Sequence, residues 1–233
     1  MKTPYEYRAQ ARTLLQNRWG EAVIASAIIF GLALLISTPS VAGSLKASLS
    51  GETYGTMTTT LLALLVVPLQ YALYTTLLLF TRDESTSLLQ TLKQHCLQNY
   101  GRFFVAGMLV TLLSGIVGAF TLGIGAVIMS YMYRMVPYLL HDYPELSARE
   151  AMKISRQMMS GHKWELFLLD LSFLPWILLS IITLGLGTLL LVPYMQTANA
   201  LYYEDLKANT IVETDDNAAE ATEEAEGVEE VEN

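Results

Sequence analysis

Residues 121–125 read Thr-Leu-Gly-Ile-Gly and residues 183–187 read Thr-Leu-Gly-Leu-Gly, each in the middle of a long apolar stretch. The two stretches run from Phe103 to Leu140 and from Leu166 to Tyr203, and each has 38 residues. A single helix of that length would extend about 57 Å, nearly twice the thickness of the hydrocarbon core of a bilayer. Each stretch therefore predicts two membrane crossings joined by a tight turn at its glycine-containing pentapeptide.

Six membrane crossings are predicted in all, because two further apolar segments precede these stretches. The six segments, with approximate ends, are 21–42, 57–80, 103–120, 122–141, 165–183 and 184–203. Residues 43–56 form a polar loop between the first two. Cleavage of the first segment as a signal peptide is the less favoured interpretation, since five more crossings follow it. Four prolines fall within crossings, where they predict kinks: Pro68, Pro137, Pro175 and Pro193.

The composition is that of a membrane protein with an acidic appendage. Of the 233 residues, 52% are hydrophobic and 15% are charged, and the formal net charge is −8. Residues 210–233 hold ten of the acidic residues and no basic one, so the rest of the chain has 14 basic against 12 acidic residues. The tail is predicted to be disordered and cytoplasmic. Nothing basic is clustered enough to indicate nucleic acid. The single Cys96 excludes an intramolecular disulfide.

The basic residues indicate the orientation of the predicted crossings. Twelve of them precede the first crossing, follow the sixth, or lie between the second and third or the fourth and fifth. Only Lys46 lies on the opposite side, and Arg134 lies within a crossing. Because basic residues accumulate on the cytoplasmic side of a membrane, both termini are predicted to be cytoplasmic.

The segments before the hairpins resemble one another and predict an internal repeat. Residues 11–20 align with 92–101, and residues 155–164 form a weaker third copy; each is expected to be a short amphipathic helix at the membrane surface. Ser147 and Glu150 have the spacing of a capping box for the third. The predicted fold is therefore all-α, with an interfacial helix and a transmembrane hairpin occurring three times in parallel orientation. The membrane domain is 1–206, with repeats at about 4–81, 85–142 and 147–205, and the tail is 207–233.

The last repeat resembles a bacterial integral membrane family known as domain of unknown function 975. The resemblance covers most of residues 5–206. Its motifs are Ser155-Arg156, Met159, Gly161, Lys163, Leu171-Ser172-Phe173 before Trp176, Gly185-Leu186-Gly187, Pro193-Tyr194 and Tyr202 to Asp205, with Ala11-Arg12 and Trp19 near the N-terminus. The resemblance implies a multi-pass protein of the bacterial inner (cytoplasmic) membrane. It implies no activity, because the family has no established function.

No catalytic constellation is visible in the sequence, and the chain is not expected to be an enzyme. The three histidines, His95, His141 and His162, fall in different cytoplasmic segments without the spacing of metal ligands, so neither a metal nor a cofactor is predicted. Both glycine-containing turns lack a lysine and lie on the far side from cytoplasmic nucleotides. They are interpreted as tight turns or close helix contacts. Cys96 is interpreted as a packed apolar residue or a lipidation site.

Charges within the predicted crossings are the best candidates for a binding site. Arg134 and Asp170 are expected at comparable depths, where an unpaired charge costs about 3 kcal/mol. We expect them to face each other, either as a fixed ion pair or as a functional pair. Tyr131, Tyr194 and Gln196 are the other candidate binding residues. They belong to a wider polar set on the even-numbered crossings, which would either line a polar centre or join the helices: Gln70, Tyr71, Tyr74, Tyr131, Tyr133, Tyr194, Gln196 and Asn199.

Two functional classes remain open at this point. One is a non-enzymatic bundle that organises or assists other membrane components, with a protein partner bound through the acidic tail or the interfacial helices. The other is a small transporter or lipid-handling protein that uses Arg134 and Asp170. The lipid bilayer is the partner common to both. The sequence alone favours the first class slightly, because no catalytic set accompanies the repeated helices.

Overall fold

A computed structural model describes residues 2–16, 18–32, 54–82 and 100–231, and the described chain is helical with no strand. The described parts of the predicted apolar segments are largely helical, in agreement with the prediction of an all-α fold. The described helices are α1 (Pro4–Leu15), α2 (Trp19–Leu32), α3 (Tyr54–Arg82), α4 (Tyr100–Phe120), α5 (Ile124–Met132), α6 (Val136–Asp142), α7 (Ala148–Met158), α8 (Lys163–Leu171), α9 (Leu174–Ile182) and α10 (Thr188–Val231). Four predicted features lie outside the described residues: the end of the first crossing, nearly all of loop 43–56, the second interfacial helix, and His95 with Cys96.

One described helix, α4, is by itself long and apolar enough to cross a membrane, and only 17% of its most apolar window is buried. Helices α8 and α9 reach the same length and composition together, with a 42° bend between them. Both assignments are by length and composition. The expectation of an all-helical protein is confirmed, whereas six crossings in three repeats stay a prediction.

The two glycine-containing turns have the same backbone geometry. Leu122 and Leu184 have φ of 51° and 54°, and the glycines after them, Gly123 and Gly185, have φ of 91° and 90°. In each turn, the glycine N–H donates to the carbonyl five residues earlier, at 2.8 Å. A threonine hydroxyl also accepts from the second glycine's N–H, at 2.8 Å in the first turn and 2.9 Å in the second. The prediction of a tight turn at both pentapeptides is confirmed.

The second and third hairpins are each broken once, and in different places. The second hairpin breaks in its returning segment, at residues 133–135 between α5 and α6. The third breaks in its outgoing segment, at residues 172–173 between α8 and α9. In both cases a proline, Pro137 or Pro175, follows at the start of the next helix, where its missing N–H disrupts no bond of that helix. Pro68 and Pro193 lie inside continuous helices.

Helices α1 and α7 both begin with a capping box. The predicted box of Ser147 and Glu150 is present at the start of α7. A second box, formed by Thr3 and Glu6, starts α1 and was not predicted. The reciprocal bonds satisfy N–H groups that a helix start leaves unpaired. The first helix accordingly covers residues 4–15, earlier than the 11–20 segment from which the repeat was inferred.

The core lies at the end of the bundle where α3, α6 and α10 converge with α1. It contains the largest fully buried side chains, among them Tyr7, Tyr138, Tyr202, Tyr203 and Phe80. The hairpin tips are instead highly exposed, since Leu122 and Leu184 are 96% and 95% exposed. Exposed apolar side chains also follow one side of α4, including Leu112 and Ile116. Apolar surface of this extent indicates contact with lipid or with a partner.

The last helix, α10, runs through the acidic segment to Val231. The structure thus gives helical backbone where the sequence predicted a disordered tail. Alanine and glutamate are frequent in this segment and have high helix propensity, which the argument from charge left out.

Candidate functional site

Arg134 and Asp170 form the ion pair that their predicted depths led us to expect. The Nη2 atom of Arg134 lies 3.2 Å from each carboxylate oxygen of Asp170. Arg134 is in the break between α5 and α6, and Asp170 is in the last turn of α8, just ahead of the other break. The side chains are 27% and 19% exposed, so the pair is partly buried. The Nε atom of Arg134 is buried and has no hydrogen-bond partner.

Of the other predicted binding residues, Tyr131 lies beside this pair, where its side chain interacts with Asp170, whereas Gln196 and Tyr194 lie elsewhere. Tyr131 packs edge-to-face on Phe167, with ring centroids 6.2 Å apart. Gln196 accepts a hydrogen bond of 3.4 Å from Asn199 and lines a cavity of about 150 Å³ together with Gln70 and Tyr74. The polar set of the even-numbered segments is therefore divided between contacts within or between helices and this one small cavity.

Tyr194, the third of these residues, lies at a different place, among aromatic rings. Phe173, Trp176 and Trp19 surround it with centroid distances of 5.0, 6.1 and 6.2 Å. Its hydroxyl donates to the backbone carbonyl of Arg8 at 3.1 Å, which ties α1 to α10.

A second ionic group, the Asp142 cluster, joins the ends of three helices. Arg82 at the end of α3 donates through Nη1 and Nη2 to the two carboxylate oxygens of Asp142, both at 2.7 Å. From α10, Lys207 and Tyr203 donate to the same carboxylate at 2.7 and 2.9 Å. Arg82 also donates from Nε to Glu204 at 2.7 Å. The Asp142 side chain is only 3% exposed, so its charge is held almost wholly by these partners.

The Asp142 carboxyl is ionised over the ordinary pH range because of these partners. Burial by itself raises the pKa of Asp142, but the hydrogen bonds from Arg82 and Lys207 and the charge of Arg82 outweigh it and lower the pKa to about 2. The same hydrogen bond with Asp142 raises the pKa of Arg82. A buried carboxylate with this many donors stabilises the convergence of the three helices.

Asp205, which lies 63 residues after Asp142, has a similar set of donors. It accepts from the Lys2 ammonium and from the Tyr7 hydroxyl, each at 2.9 Å. Its side chain is 22% exposed, considerably more than that of Asp142. Neither cluster was predicted as a site. The signal was present, since Asp142 and Asp205 stand 63 residues apart, at matching positions of the two predicted repeats.

A groove runs between α1, the start of α2, α9 and α10; we call it the α1 groove. It consists of two cavities, of about 320 and about 570 Å³, that share four lining residues. The larger is bounded mainly by one face of α1, and the smaller continues along α9 and α10 over leucine side chains. The shared residues are Arg12, Trp19, Trp176 and Tyr194. No acidic residue lines either cavity among the described residues.

The described residues contain no group of histidine, cysteine and acidic side chains that could hold a metal ion. His162 lies beside Glu165, with 3.3 Å between Nδ1 and the carboxylate. The ionic groups described above connect helices to one another, whereas the basic side chains of Arg8 and Arg12 border a cavity at the α1 groove.

These features define an all-helical protein with one clear candidate membrane span and with its ionic groups used between helices. The chain belongs to the family described as Protein of unknown function (DUF975), whose model matches residues 39–210. The resemblance found in the sequence is thereby confirmed. The match begins later than we expected, so Ala11, Arg12 and Trp19 lie outside it. No curated protein and no solved structure matches the chain.

Proposed function

We propose that this protein is a six-crossing integral membrane protein of the bacterial inner membrane, built from three parallel repeats with both termini in the cytoplasm. The matching geometry of the two hairpin turns supports the repeats. The exposed apolar side chains of the hairpin tips and of α4 support burial in lipid. The distribution of basic residues supports the orientation.

Within that placement, we propose a non-enzymatic role in organising or assisting other membrane components. The observation that carries it is the use of the ionic side chains, since the Asp142 cluster and the Arg134–Asp170 pair both join one helix to another. Such an interior holds a rigid bundle together. The exposed apolar side of α4 is then the surface for another membrane-embedded helix.

Photo-crosslinking within the native membrane tests this role. A benzophenone amino acid placed at Leu112, which is 57% exposed on α4, is expected to crosslink one protein in reproducible yield. The same amino acid at Phe103, buried on the same helix, is the matched control and is expected to give no such product. Lipid adducts alone from Leu112 would contradict the assembly role.

Labelling of single cysteines tests the membrane placement separately. In a Cys96→Ser background, Leu122→Cys lies at a hairpin tip and Ala208→Cys lies after the last predicted crossing. An impermeant thiol reagent is expected to label the first in spheroplasts and the second only after permeabilisation. The reverse pattern would overturn the orientation, and labelling of both in intact spheroplasts would overturn the membrane placement.

The second candidate function is a small transporter or a lipid-handling protein based on Arg134 and Asp170. It is favoured by the incomplete burial of the pair and by the unpartnered Nε of Arg134. Retention of a small molecule or lipid by the wild-type protein in native mass spectrometry, with loss in Arg134→Ala, would support it. Unchanged retention in the variant would leave the pair as a structural contact.

A further inference from the structure

We propose that the α1 groove binds one anionic phospholipid, with the phosphate at Arg8 and Arg12 and an acyl chain along α10. The inference rests on the membrane placement proposed above and is independent of the assembly role. The two parts of the groove differ in chemistry in the same way as the two parts of a lipid. The labelling experiment above distinguishes failure of the placement from failure of the lipid site.

The larger cavity of the α1 groove, which we call its wide part, is lined by basic side chains that can bind a negatively charged headgroup. Arg8 and Arg12 are four residues apart on α1, so they lie on one face of the helix, one turn from each other. The adjacent face, with Tyr7, Ala11 and Leu15, is buried in the core. This amphipathic arrangement fixes the direction of the two arginines toward the groove.

Neither arginine is fully used by the protein. Arg8 donates from Nη1 to the backbone carbonyl of Ser172, which the break before Pro175 leaves without its usual helical partner, while the buried Nε of Arg8 has no partner. Arg12 is exposed and forms no ion pair with the described residues. Arginine presents several donors in a planar fork, which suits phosphate oxygens.

The smaller cavity of the α1 groove, which we call its narrow part, is suited to a hydrocarbon chain. It is lined by Leu179, Leu190 and Leu191, and it extends along the start of α10 from Tyr194 to Gly187, the turn residue that precedes this helix. Seven residues of helix correspond to about 10 Å. The Ser180 hydroxyl also borders it, buried and without a hydrogen-bond partner, and could bind an ester oxygen of the lipid.

The aromatic residues at the junction fit the boundary between headgroup and chain. Trp19, Trp176 and Tyr194 are lining residues of both parts. Such amphipathic rings favour the level of the membrane where water meets lipid. A free phosphate would use only the arginines, whereas an anionic phospholipid uses the charge, the rings and the apolar channel together.

Tryptophan fluorescence provides the test. Trp164 is the one tryptophan outside the groove, so Trp164→Phe leaves Trp19 and Trp176 as reporters. The full chain, delipidated in detergent, is titrated with phosphatidylglycerol brominated on its acyl chains. We expect saturable quenching at a low lipid fraction and much weaker quenching by brominated phosphatidylcholine, which has no net charge.

Arg12→Gln is expected to weaken phosphatidylglycerol binding about tenfold, the usual effect of losing a charged hydrogen bond. The matched control is Arg156→Gln, because Arg156 is also an exposed arginine in the last turn of a capping-box helix but lies away from the groove. Leu190→Phe, which fills the narrow part, is also expected to weaken lipid binding.

Three results would overturn the proposal. Equal losses in Arg12→Gln and Arg156→Gln would indicate diffuse attraction to basic residues. Equal quenching by the two lipids would remove the role of charge. Full competition by inorganic phosphate at millimolar concentration, with no effect of Leu190→Phe, would assign a phosphate-ion site in place of a lipid site.

Discussion

The second and third hairpins begin from the same turn and then diverge. Around residues 117–125 and 179–187 the backbone bonds correspond at a spacing of 62 residues. After the turns, the second hairpin breaks in its returning segment, whereas the third breaks in its outgoing segment. Arg134 lies in the first break and Asp170 adjoins the second. Two segments that share the same turn are thus interrupted at different places, and the two breaks meet across one ion pair.

The counterpart of Arg134 in the third hairpin shows what the break changes. At the spacing of 63 residues that relates Asp142 to Asp205, Arg134 corresponds to Thr197. Thr197 is fully buried in the continuous α10 and donates to the carbonyl of Pro193 at 2.8 Å. The threonine hydroxyl forms its hydrogen bond within its own helix. The arginine guanidinium pairs with a carboxylate on another helix. The comparison indicates that local breaks convert equivalent positions from contacts within a helix to contacts between helices.

The largest expected effect comes from the equivalent aspartates. Asp142→Asn removes the charge that three donors share in a nearly closed environment, and we expect a loss of about 3 kcal/mol in the free energy of unfolding. Asp205→Asn affects a more exposed pair, and we expect about 1 kcal/mol. Unfolding of the two variants in mixed micelles measures both. Equal losses would show that the two clusters contribute alike, against the difference in burial.

The pH dependence of stability should separate the same two positions. The pKa of Asp142 is lower in the folded protein, at about 2, than its ordinary value of 3.8. A lowered pKa stabilises the fold above pH 4, and that contribution is lost as the pH falls toward 2; it corresponds to about 2 kcal/mol. The free energy of unfolding is measured between pH 5 and pH 2, and its slope against pH should be much smaller in Asp142→Asn than in the wild type. An unchanged slope in the variant would mean that other carboxyl groups are responsible.

The Arg134–Asp170 pair tests whether the two breaks are coupled. In a double-mutant cycle with Arg134→Ala and Asp170→Ala, we expect a coupling free energy of about 1.5 kcal/mol, since the pair is partly buried. Met108 is exposed and lies at the position of α4 that corresponds to Asp170. The control cycle combines Met108→Ala with Arg134→Ala and is expected to give no coupling free energy. Additive effects of the two charged substitutions would show that the pair contributes no coupling.

The smallest effect should be the same in both hairpins. Gly123→Ala and Gly185→Ala each place a Cβ at positive φ with nothing within 4 Å of it, so the cost is conformational and about 1 kcal/mol. Gly115→Ala, in α4 and equally uncrowded, is the control and should stabilise slightly. Unequal costs at the two turns would contradict their structural equivalence.

The sequence predicted helical segments, tight turns and one capping box because each depends on local pattern. Hydrophobic length located α4, and the spacing of Ser147 and Glu150 predicted the start of α7. The meeting of Arg134 and Asp170 was also expected, since both charges fall at similar depth in adjacent segments. These features require only neighbouring residues or a common depth in the membrane.

The remaining features depend on which distant segments meet, and periodicity contains no such information. The partners of Asp142 come from Arg82 and Lys207, which local sequence does not connect. The α1 groove requires α1 to pack beside α9 and α10, so Arg12 was not among the predicted binding residues. The two helix breaks, at residues 133–135 and 172–173, were predicted only as kinks at Pro137 and Pro175. The hydrogen bond from Arg8 to the carbonyl of Ser172 was not predicted.

The Asp142 cluster also sets an order of events during synthesis. Its donors come from residue 82 and from residues 203 and 207, so the ribosome supplies the first donor early and the others near the end of the bundle. Until the last helix follows, Asp142 has one of its three partners and the convergence of helix ends is incomplete. The last contacts of the cluster therefore form only after residues 203 and 207 of α10 have been synthesised.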